Sequence, residues 1–193
     1  MLFCIEGIDG AGKTIQAGLL ESKLKKEGID AVLTKEPTDG YVGMLLRKAL
    51  SGEIKLDNMT VQLLFTADRN EHVTAFKKEI ESLSKVVITD RYYPSTIAYG
   101  SAMGLRLEYI KMLNSIFPKP NALFILDISP ELSAQRIRSR GNTKEITEDI
   151  GFLSKVRAAY KANFPDSIII DASRSINEIS EEIFRKSMEI IHR

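Results

Sequence analysis

The fold of this chain is decided near its start, in the stretch Glu6-Gly7-Ile8-Asp9-Gly10-Ala11-Gly12-Lys13-Thr14. This stretch follows an apolar run, residues 2–5, and opens into a helical pattern, so it predicts a turn from a strand into a helix. Its fixed positions match the phosphate-loop pattern G-x-x-x-x-G-K-S/T. A loop of this kind curls its backbone N–H groups around phosphate oxygens at the positive end of a helix. The stretch therefore predicts a nucleoside triphosphate site.

Two side chains of this loop have expected roles in the chemistry. Lys13 is expected to reach the β- and γ-phosphates, and the Thr14 hydroxyl is expected to hold Mg²⁺. A glycine-rich turn without a ligand is the alternative, and the flanking strand and helix patterns argue against it. The expected ATP contacts in the loop are Gly7, Ile8, Asp9, Gly10, Ala11, Gly12, Lys13 and Thr14.

Length, charge and cysteine content narrow the class of protein. The 193 residues suit one domain, 1–193, with a substantial core, and a net charge of +1 gives no overall field that would attract nucleic acid or a membrane. The single cysteine, Cys4, lies in the first apolar run and is expected to be buried. No apolar run approaches the ~20 residues of a membrane span, and no signal peptide is expected before the first strand. We expect a soluble, cytoplasmic protein with small-molecule partners.

Apolar strand patterns alternate with helical patterns along the whole chain. The predicted strands cover residues 2–5, 31–35, 85–89, 122–128 and 167–171. The predicted helices cover residues 15–27, 42–50, 60–83, 94–103, 106–116, 129–138, 148–162 and 176–191. Such alternation predicts parallel βαβ units, so we expect an α/β fold with a five-stranded parallel sheet and helices on both faces.

Charged residues recur where the predicted strands end. They are Glu6, Glu36 before Pro37, Asp90-Arg91, Asp127 and Asp171. In sheets of this kind, ligands bind beyond the carboxyl ends of the strands. Solvated loop charges would account for one or two of these positions, and the repetition predicts a site along this edge.

Beyond the phosphate loop, three segments are more selective. They are Leu64 to His72, Asp90-Arg91-Tyr92-Tyr93 and Ser95-Thr96-Ile97-Ala98-Tyr99. With them the sequence resembles the thymidylate kinase family of P-loop nucleoside monophosphate kinases, nearly end to end. The resemblance implies transfer of the γ-phosphoryl group of Mg²⁺-ATP to dTMP, giving dTDP and ADP in dTTP biosynthesis. It also implies a helix-to-helix homodimer, to which the predicted helices 60–83 and 94–103 are expected to contribute, because they carry more apolar residues than one sheet face needs. Other monophosphate kinases, and a nucleotide-switch GTPase of another functional class, are the alternatives.

The resemblance implies a site for the base and sugar of dTMP. In the family, the ring matching Phe65 stacks on thymine and the arginine matching Arg69 bonds its edge. The two positions are four apart on a helical pattern, so they share a face. A core Phe65 beside a surface Arg69 is the alternative without the resemblance. Ser95 and Thr96 are expected to line the base, and Tyr99 to crowd the 2′-carbon.

The acceptor phosphate and the metal are assigned by the same resemblance. Arg91 is expected to hold the dTMP phosphate, with Pro37 in the acceptor site, since a planar guanidinium suits a phosphate dianion. Asp90 is expected to bind Mg²⁺, and Asp9 to lie near the sugar 3′-hydroxyl and the metal. A structural Asp–Arg ion pair and a capping role for Asp9 are the alternatives.

A polar stretch near 139–147 resembles the family's lid, and three arginines stand at its start. Family members place an arginine for the transferring phosphoryl group either in the phosphate loop or in the lid. The variable positions of this loop hold no basic residue, so the resemblance implies Arg140 for the transferring phosphoryl group and Arg136 for ATP. Arg138 faces away from these two and is expected to be solvated. The expected catalytic residues are therefore Lys13, Arg91 and Arg140.

Three positions depart from the family pattern. Thr38 stands where many members carry an arginine for the acceptor phosphate, Ile15 replaces a common Ser or Thr, and Gly100 follows Tyr99 where glutamine is frequent. The first departure predicts that Arg91 holds the acceptor phosphate with less help.

Overall fold

The computed structural model describes residues 1–139 and 150–192. Its strands are β1 (Leu2–Glu6), β2 (Ala31–Lys35), β3 (Val86–Asp90), β4 (Ala122–Asp127) and β5 (Ile168–Asp171). Its helices are α1 (Lys13–Lys26), α2 (Tyr41–Leu50), α3 (Asn58–Ala75), α4 (Lys77–Ser82), α5 (Tyr93–Ala102), α6 (Leu107–Asn114), α7 (Pro130–Ser139), α8 (Ile150–Asn163) and α9 (Ile176–Ile191). Residues 140–147 of the predicted lid, with Arg140, lie outside the described residues. The lid and the assignment of 1–193 to one domain stay predictions.

The five strands form one sheet in the order β2-β3-β1-β4-β5, with every neighbouring pair parallel. This confirms the predicted α/β fold. The central strand β1 lies between β3 and β4, with Ile5 beside Asp90 and Glu6 beside Ile125. The phosphate loop, which follows β1, is therefore next to the turn that follows β3.

Alternating side chains of β1 face opposite sides of the sheet, as the two-residue period of a strand requires. Phe3 and Ile5 belong to the larger core cluster, to which α1, α8 and α9 contribute. Leu2 and Cys4 belong to a second cluster with Val87, Tyr92 and Phe117. Both faces of β1 are thus covered. The Cys4 thiol is free and fully buried, as predicted, and burial raises its pKa.

One predicted helix is wrong. Residues 60–83 form two helices, α3 and α4, instead of one. Phe76 leaves helical geometry between them, at φ −111° and ψ 14°. This break lets Phe76 and Ile80 pack against the cluster around Leu2 and Cys4, while the Phe76 ring meets His72 edge-on at 5.6 Å. Packing on the sheet therefore outweighs helix continuity here.

The other predicted elements agree with the structure to within two residues at each described end. The Asp57 side chain accepts a hydrogen bond from the Thr60 N–H, so α3 begins at Asn58. The Ser129 hydroxyl accepts from the Leu132 N–H and caps the start of α7. Among residues 1–139 and 150–192, no helix is both long and apolar enough to cross a membrane.

Candidate active site

A cavity of about 370 Å³ opens at the carboxyl edge of the sheet. It brings the phosphate loop together with the ends of β2 and β3 and with one side chain each from α2 and α7. The lining residues are Asp9, Gly10, Gly12, Lys13, Thr14, Ile15, Lys35, Glu36, Pro37, Arg47, Asp90, Arg91 and Ile137. Of the five charged strand ends, those of β2 and β3 line this concave surface, and β1 contributes the phosphate loop that follows it, while Glu6 itself is fully buried.

The other two charged strand ends were wrongly expected to belong to this site. Asp127 accepts two hydrogen bonds from Arg157, at 2.5 and 2.8 Å, and one from Lys161 at 2.8 Å, all from α8. Asp171 accepts from the backbone and hydroxyl of Ser173 in the turn before α9. Asp127 thus fixes α8, and Asp171 fixes the turn before α9. Both lie away from the cavity, because β4 and β5 are on the far side of β1 from it.

The phosphate loop has the backbone geometry of an anion cradle. Gly7 adopts φ 138° and Gly12 adopts φ 96°, which residues with side chains rarely adopt. A Cβ on Gly7 would also lie 2.6 Å from the carbonyl oxygen of Leu126. Helix α1 begins at Lys13, so its first N–H groups face the cavity at the positive end of the helix.

The Lys13 side chain is folded back into this loop. Its Nζ donates to the Ile8 carbonyl oxygen at 2.9 Å and lies 3.6 Å from Asp9 Oδ1. Burial lowers the pKa of the Lys13 ammonium, and the nearby charge of Arg91 lowers it further. Two cations therefore stand close together beside a single loop carboxylate.

Asp9 is that carboxylate. Arg91 Nη2 donates to its Oδ1, and the Tyr99 hydroxyl lies 3.3 Å from its Oδ2. Desolvation alone would raise the pKa of Asp9, but Arg91 and Lys13 outweigh it and lower the pKa to about 2. Arg91 thus pairs with Asp9, and not with Asp90 as in the ion pair considered from the sequence.

Arg91 is held in an unusual backbone conformation at the end of β3. Its φ is 72°, in the left-handed region that non-glycine residues seldom occupy. The turn is fixed because the Arg91 N–H donates to the Ile5 carbonyl at 3.1 Å and the Thr89 hydroxyl donates to the Arg91 carbonyl at 2.5 Å. The strained backbone conformation thus occurs at a residue whose side chain lines the cavity, as is common at functional sites.

The Arg91 guanidinium has both satisfied and free donors. Nη1 donates to Ser95 Oγ at 3.0 Å and to the Gly7 carbonyl at 3.4 Å, while Nη2 donates to Asp9. The described part of the chain provides no partner for Nε–H or for the second N–H of Nη2. The edge of the guanidinium that carries Nε–H is therefore available to a phosphate, which guanidinium groups bind through charge-assisted hydrogen bonds.

A candidate metal position lies between α1 and β3. The Thr14 hydroxyl donates to Asp90 Oδ2 at 2.5 Å. In residues 1–139 and 150–192, no group of three or more His, Cys, Asp and Glu side chains could hold a metal ion. Mg²⁺ in kinases, however, is usually held by one or two protein oxygens together with substrate phosphates, so Thr14 and Asp90 fit this chemistry.

Arg69 occupies a place that sequence reasoning did not anticipate. It is 1% exposed, so the alternative of a surface arginine is wrong. Its Nε and Nη2 donate to Glu36 Oε2 at 2.9 and 2.7 Å, Nη2 also donates to Thr96 Oγ1 at 3.1 Å, and Nη1 donates to Asn114 Oδ1 at 2.6 Å. His72 Nδ1 lies 2.9 Å from the other oxygen of Glu36. A buried ionic network thus fixes the guanidinium.

The remaining residues assigned to the base and sugar do not line the cavity. Phe65 is half-buried on α3, one turn before Arg69, and Thr96 is buried against it. The Tyr99 ring lies 5.5 Å from the Arg91 guanidinium carbon and 6.1 Å from the Phe152 ring. Ser95 bonds Arg91. Ser95, Tyr99 and Thr96 are therefore connected to the cavity, through Arg91, through Asp9, and through Arg69 and Glu36, respectively.

The structure adds two cations that the sequence analysis missed. Arg47, on α2, lines the cavity, and its Nη1 donates to the Pro37 carbonyl at 3.1 Å. Its Nη2 lies 3.1 Å from Asp39 Oδ1, which is also 3.3 Å from Lys35 Nζ. The available signal was a basic position on the helix that directly follows the loop after β2.

The departure at Thr38 has a structural counterpart. The Thr38 N–H and hydroxyl both donate to the buried carboxylate of Asp68, at 2.8 and 2.6 Å. Helix α2 then approaches so closely that a Cβ on Gly43 would lie 1.9 Å from the Thr38 carbonyl oxygen. Thr38 therefore fixes the loop between β2 and α2, and Arg47 supplies a guanidinium to this side of the cavity.

Of the two lid arginines assigned to nucleotides, Arg136 lies within the described residues. Arg136 Nη1 donates to the Ala172 carbonyl at 2.9 Å, in the turn between β5 and α9. Arg138 is exposed, as expected. Arg140 lies outside the described residues, so its role stays a prediction.

Comparison with known proteins agrees with this geometry. The sequence profile described as "Thymidylate kinase" matches residues 5–183. A "Probable thymidylate kinase" of Pyrococcus horikoshii is 39% identical over 187 residues, covering 93% of this chain and 91% of the relative. A "Probable thymidylate kinase" of Methanocaldococcus jannaschii is 38% identical, covering 100% and 98%, and a "Thymidylate kinase" of Xylella fastidiosa is 38% identical, covering 99% and 92%.

The chain belongs to the thymidylate kinase family. It is therefore a nucleotide-binding kinase, and the resemblance recognised from the segments around Arg69, Arg91 and Tyr99 is confirmed.

The buried network around Arg69 gives a testable prediction for stability. Glu36→Gln removes the carboxylate that faces a fully buried guanidinium, so we expect a loss of roughly 3–5 kcal/mol of unfolding free energy. Asp39 is the matched control, because it pairs with Lys35 and Arg47 but is 77% exposed. Asp39→Asn should cost less than about 1 kcal/mol. Urea unfolding monitored by circular dichroism measures the unfolding free energy of both variants. Equal losses in Glu36→Gln and Asp39→Asn would contradict the description of Glu36–Arg69 as a buried ion pair.

Proposed function

We propose that the cavity at the sheet edge is where this kinase transfers the γ-phosphoryl group of ATP to dTMP, giving dTDP and ADP as a step of dTTP biosynthesis. The observation that carries the proposal is the joining of a phosphate loop to Arg91 and Arg47 in one cavity. Two phosphate-binding devices that face each other suit a reaction between two anionic nucleotides. Membership of the family names the acceptor.

On the donor side, the loop from Gly7 to Thr14 binds the ATP phosphates, with Lys13 as the cation at the β- and γ-phosphates. Lys13 leaves its contacts with Ile8 and Asp9 for phosphate oxygens, a favourable exchange because ammonium–phosphate hydrogen bonds are charge-assisted. Arg136 contributes to ATP from the start of α7. Its contact with the turn between β5 and α9 supports a place beside the base rather than the phosphates.

Mg²⁺ fits beside Thr14 and Asp90. When bound, it would neutralise part of the phosphate charge during transfer. Asp9 is a weaker candidate as a ligand, because Arg91 and Lys13 already occupy its carboxylate. The Asp90 carboxylate has the Thr14 hydroxyl as its neighbour and lines the cavity, which supports it over Asp9.

On the acceptor side, Arg91 binds the dTMP phosphate through the edge of its guanidinium that carries the free Nε–H. Arg47 binds the same phosphate from the opposite wall and provides the help that Thr38 cannot. Both guanidinium groups are held by carboxylates, Asp9 and Asp39 respectively. These pairs keep the two arginines oriented and limit their mutual repulsion when the phosphate is absent.

The thymine and the sugar are bound along α3 and α5. Phe65 stacks on the base, Arg69 reads its edge, and Thr96 lines it beside Arg69. Tyr99 crowds the 2′-carbon of the sugar, because its ring is fixed between Arg91 and Phe152. The rigidity of the Arg69 network supports this role, since a guanidinium that cannot move can discriminate between base edges.

Catalysis then rests on alignment and charge. An oxygen of the dTMP phosphate attacks the γ-phosphorus of ATP, a new P–O bond forms, and the bond to the β-γ bridging oxygen breaks with its electron pair leaving on ADP. Lys13 stabilises negative charge on the donor phosphates and Arg91 holds the attacking phosphate. Charge that develops on the transferred group is assigned to Arg140, as predicted from the sequence.

The acceptor is tested with a panel of nucleoside monophosphates at fixed Mg²⁺-ATP. We expect dTMP to give the highest kcat/KM, dUMP a lower value, and the ribonucleotide of thymine a still lower one because of Tyr99. A coupled assay of ADP release measures the rates. If AMP, CMP or an unphosphorylated nucleoside is the best acceptor, the proposed substrate is wrong.

The Arg91→Ala variant distinguishes binding of the acceptor dTMP from binding of the donor ATP. Since Arg91 is proposed to bind the acceptor phosphate, its loss should weaken dTMP binding by roughly 1.5–3 kcal/mol, about ten- to a hundred-and-fifty-fold. ATP binding should stay nearly unchanged. Arg185→Ala is the control, because Arg185 is 60% exposed and pairs with Glu189 on α9. Calorimetric titrations with each nucleotide decide, and an equal loss of ATP affinity would contradict the assignment.

A homodimer is proposed as well, with its contact surface corrected from the sequence expectation. The expected contribution of the 94–103 helix is wrong, because α5 buries most of its side chains within the protomer. Exposed apolar side chains instead occupy α2 and the neighbouring α3 and α6. They are Tyr41, Met44, Leu45, Leu50, Leu63, Tyr109 and Met112. A patch of this kind is typical of a protein contact surface.

This surface is tested by sedimentation velocity at micromolar concentration. The wild-type chain should sediment as a dimer, and Leu63→Asp should shift it to a monomer, because a charge buried in an apolar contact has no partner. Ile169→Asp is a control with an equally exposed side chain on the edge strand β5. A wild-type monomer, or a dimer that survives Leu63→Asp, would contradict the proposed surface.

A further inference from the structure

Tyr160 places a hydroxyl in the polar cluster beneath Arg91, although it belongs to α8 and lines no part of the cavity described above. The side chain is 1% exposed. Its hydroxyl oxygen lies 2.9 Å from Glu6 Oε2 and 2.8 Å from Ser95 Oγ. Neither the substrate assignments nor the proposed reaction uses this group.

The partner of Tyr160 is a fully buried carboxylate at the end of β1. Oε1 of Glu6 accepts from the N–H groups of Tyr92 and Ser95, at 2.7 and 3.2 Å. Oε2 accepts from the hydroxyls of Ser95 and Tyr160, at 2.6 and 2.9 Å. Burial raises the pKa of Glu6, and Arg91 and these hydrogen bonds oppose that rise. Glu6 thus ties the turn after β3 to the strand that carries the phosphate loop.

The hydrogen atoms in this cluster can be followed from donor to acceptor. A carboxylate only accepts, so the single hydrogen of the Ser95 hydroxyl is directed at Glu6. The lone pairs of Ser95 Oγ then accept from Arg91 Nη1, at 3.0 Å. Tyr160 supplies the second hydroxyl hydrogen of the cluster, shared between Glu6 Oε2 and Ser95 Oγ.

We propose that Tyr160 is a positioning residue for Arg91. Its hydroxyl holds the Glu6–Ser95 pair in the geometry in which Ser95 accepts from the Arg91 guanidinium. That hydrogen bond turns the free edge of Arg91 toward the acceptor phosphate. The inference rests on the proposed function of Arg91 and extends it to a residue on α8.

The energetic reason lies in the competition for Arg91. Asp9 attracts one end of the guanidinium toward the phosphate loop, and Ser95 is the side-chain acceptor at the other end. Without the Tyr160 hydroxyl, Glu6 loses one of two donors to Oε2, and the buried cluster relaxes to recover it. Ser95 then holds Arg91 less firmly and Asp9 becomes its strongest fixed partner. Acceptor binding should weaken while ATP binding does not.

Tyr160→Phe is the direct test, because it deletes one oxygen and keeps the ring in the core. Tyr92→Phe is the matched control: Tyr92 is also 1% exposed, but its hydroxyl donates to the Pro118 carbonyl at 3.2 Å, away from Arg91. We expect Tyr160→Phe to raise the KM for dTMP about three- to tenfold. The KM for ATP and the melting temperature of Tyr160→Phe should equal those of the control variant Tyr92→Phe.

A double-mutant cycle with Ser95→Ala tests whether Tyr160 acts through Ser95. If it does, Tyr160→Phe should change the KM for dTMP much less in the Ser95→Ala background than in the wild type. Equal effects in both backgrounds would overturn the inference. An unchanged KM for dTMP in Tyr160→Phe, or a KM for ATP that rises equally, would overturn it as well.

A readout without substrate separates this inference from the proposed function. The Nε–H signal of Arg91 in the NMR spectrum of the free protein should move in Tyr160→Phe and stay in place in Tyr92→Phe. If the wild type fails to phosphorylate dTMP, the proposed function is wrong, and this signal still decides whether Tyr160 positions Arg91. An unmoved signal in Tyr160→Phe would overturn the positioning role.

Discussion

The ion pair between Asp9 and Arg91 is the interaction on which the site depends. Two cations, Lys13 and Arg91, are brought together because β1 and β3 are adjacent and their carboxyl ends coincide, with Ile5 beside Asp90. Without a carboxylate between them these charges would repel each other in a partly buried place. Asp9 prevents this and is itself kept ionised by both. The pair therefore preserves a basic cavity until phosphates arrive.

Two buried carboxylates, Glu6 and Glu36, hold the arginines of the site in place from within the protein, in addition to Asp9. Glu6 accepts from the Tyr92 N–H and so fixes the turn that carries Arg91. Glu36 accepts from the Arg69 guanidinium and fixes that side chain. Both glutamates are buried and fully engaged in hydrogen bonds, so they specify geometry more than they add stability. Rings of Tyr92 and Phe117 lie over the Arg69 guanidinium at 5.4 and 5.6 Å, which restricts it further. The Arg69 guanidinium is thus held in place before dTMP binds.

Much of the fold could be predicted from local patterns. Periodicity and turn residues can be read from a single sequence. They were enough to predict the phosphate loop, the parallel direction of the short apolar strands and the last helix. The break at Phe76 could not be predicted, because it depends on packing against Leu2 and Cys4 from the other end of the chain. Helical periodicity alone continues through that position.

The site was predictable as a set of residues more than as a geometry. Lys13, Arg91 and Asp9 belong to motifs, and the structure brings them together. Arg47 belongs to no motif that was recognised, and it enters the cavity because Thr38 and Gly43 bring α2 close to the loop. Asp127, like Asp90, is the last residue of an apolar strand. It nevertheless bonds side chains of α8, because the sheet order places β4 away from the cavity. Tertiary position, which a single sequence does not display, decides these cases.

The most direct test of this account is a measurement of the pKa of Asp9 by carbon-13 NMR of its carboxyl group, in the free protein without Mg²⁺. The Asp9–Arg91–Lys13 cluster predicts a pKa of about 2 in the wild type and a higher value in Arg91→Ala, because the variant loses the nearer cation. An Asp9 carboxyl that titrates near its ordinary value, about 4, or that is insensitive to Arg91→Ala, would contradict the claim that this ion pair organises the site.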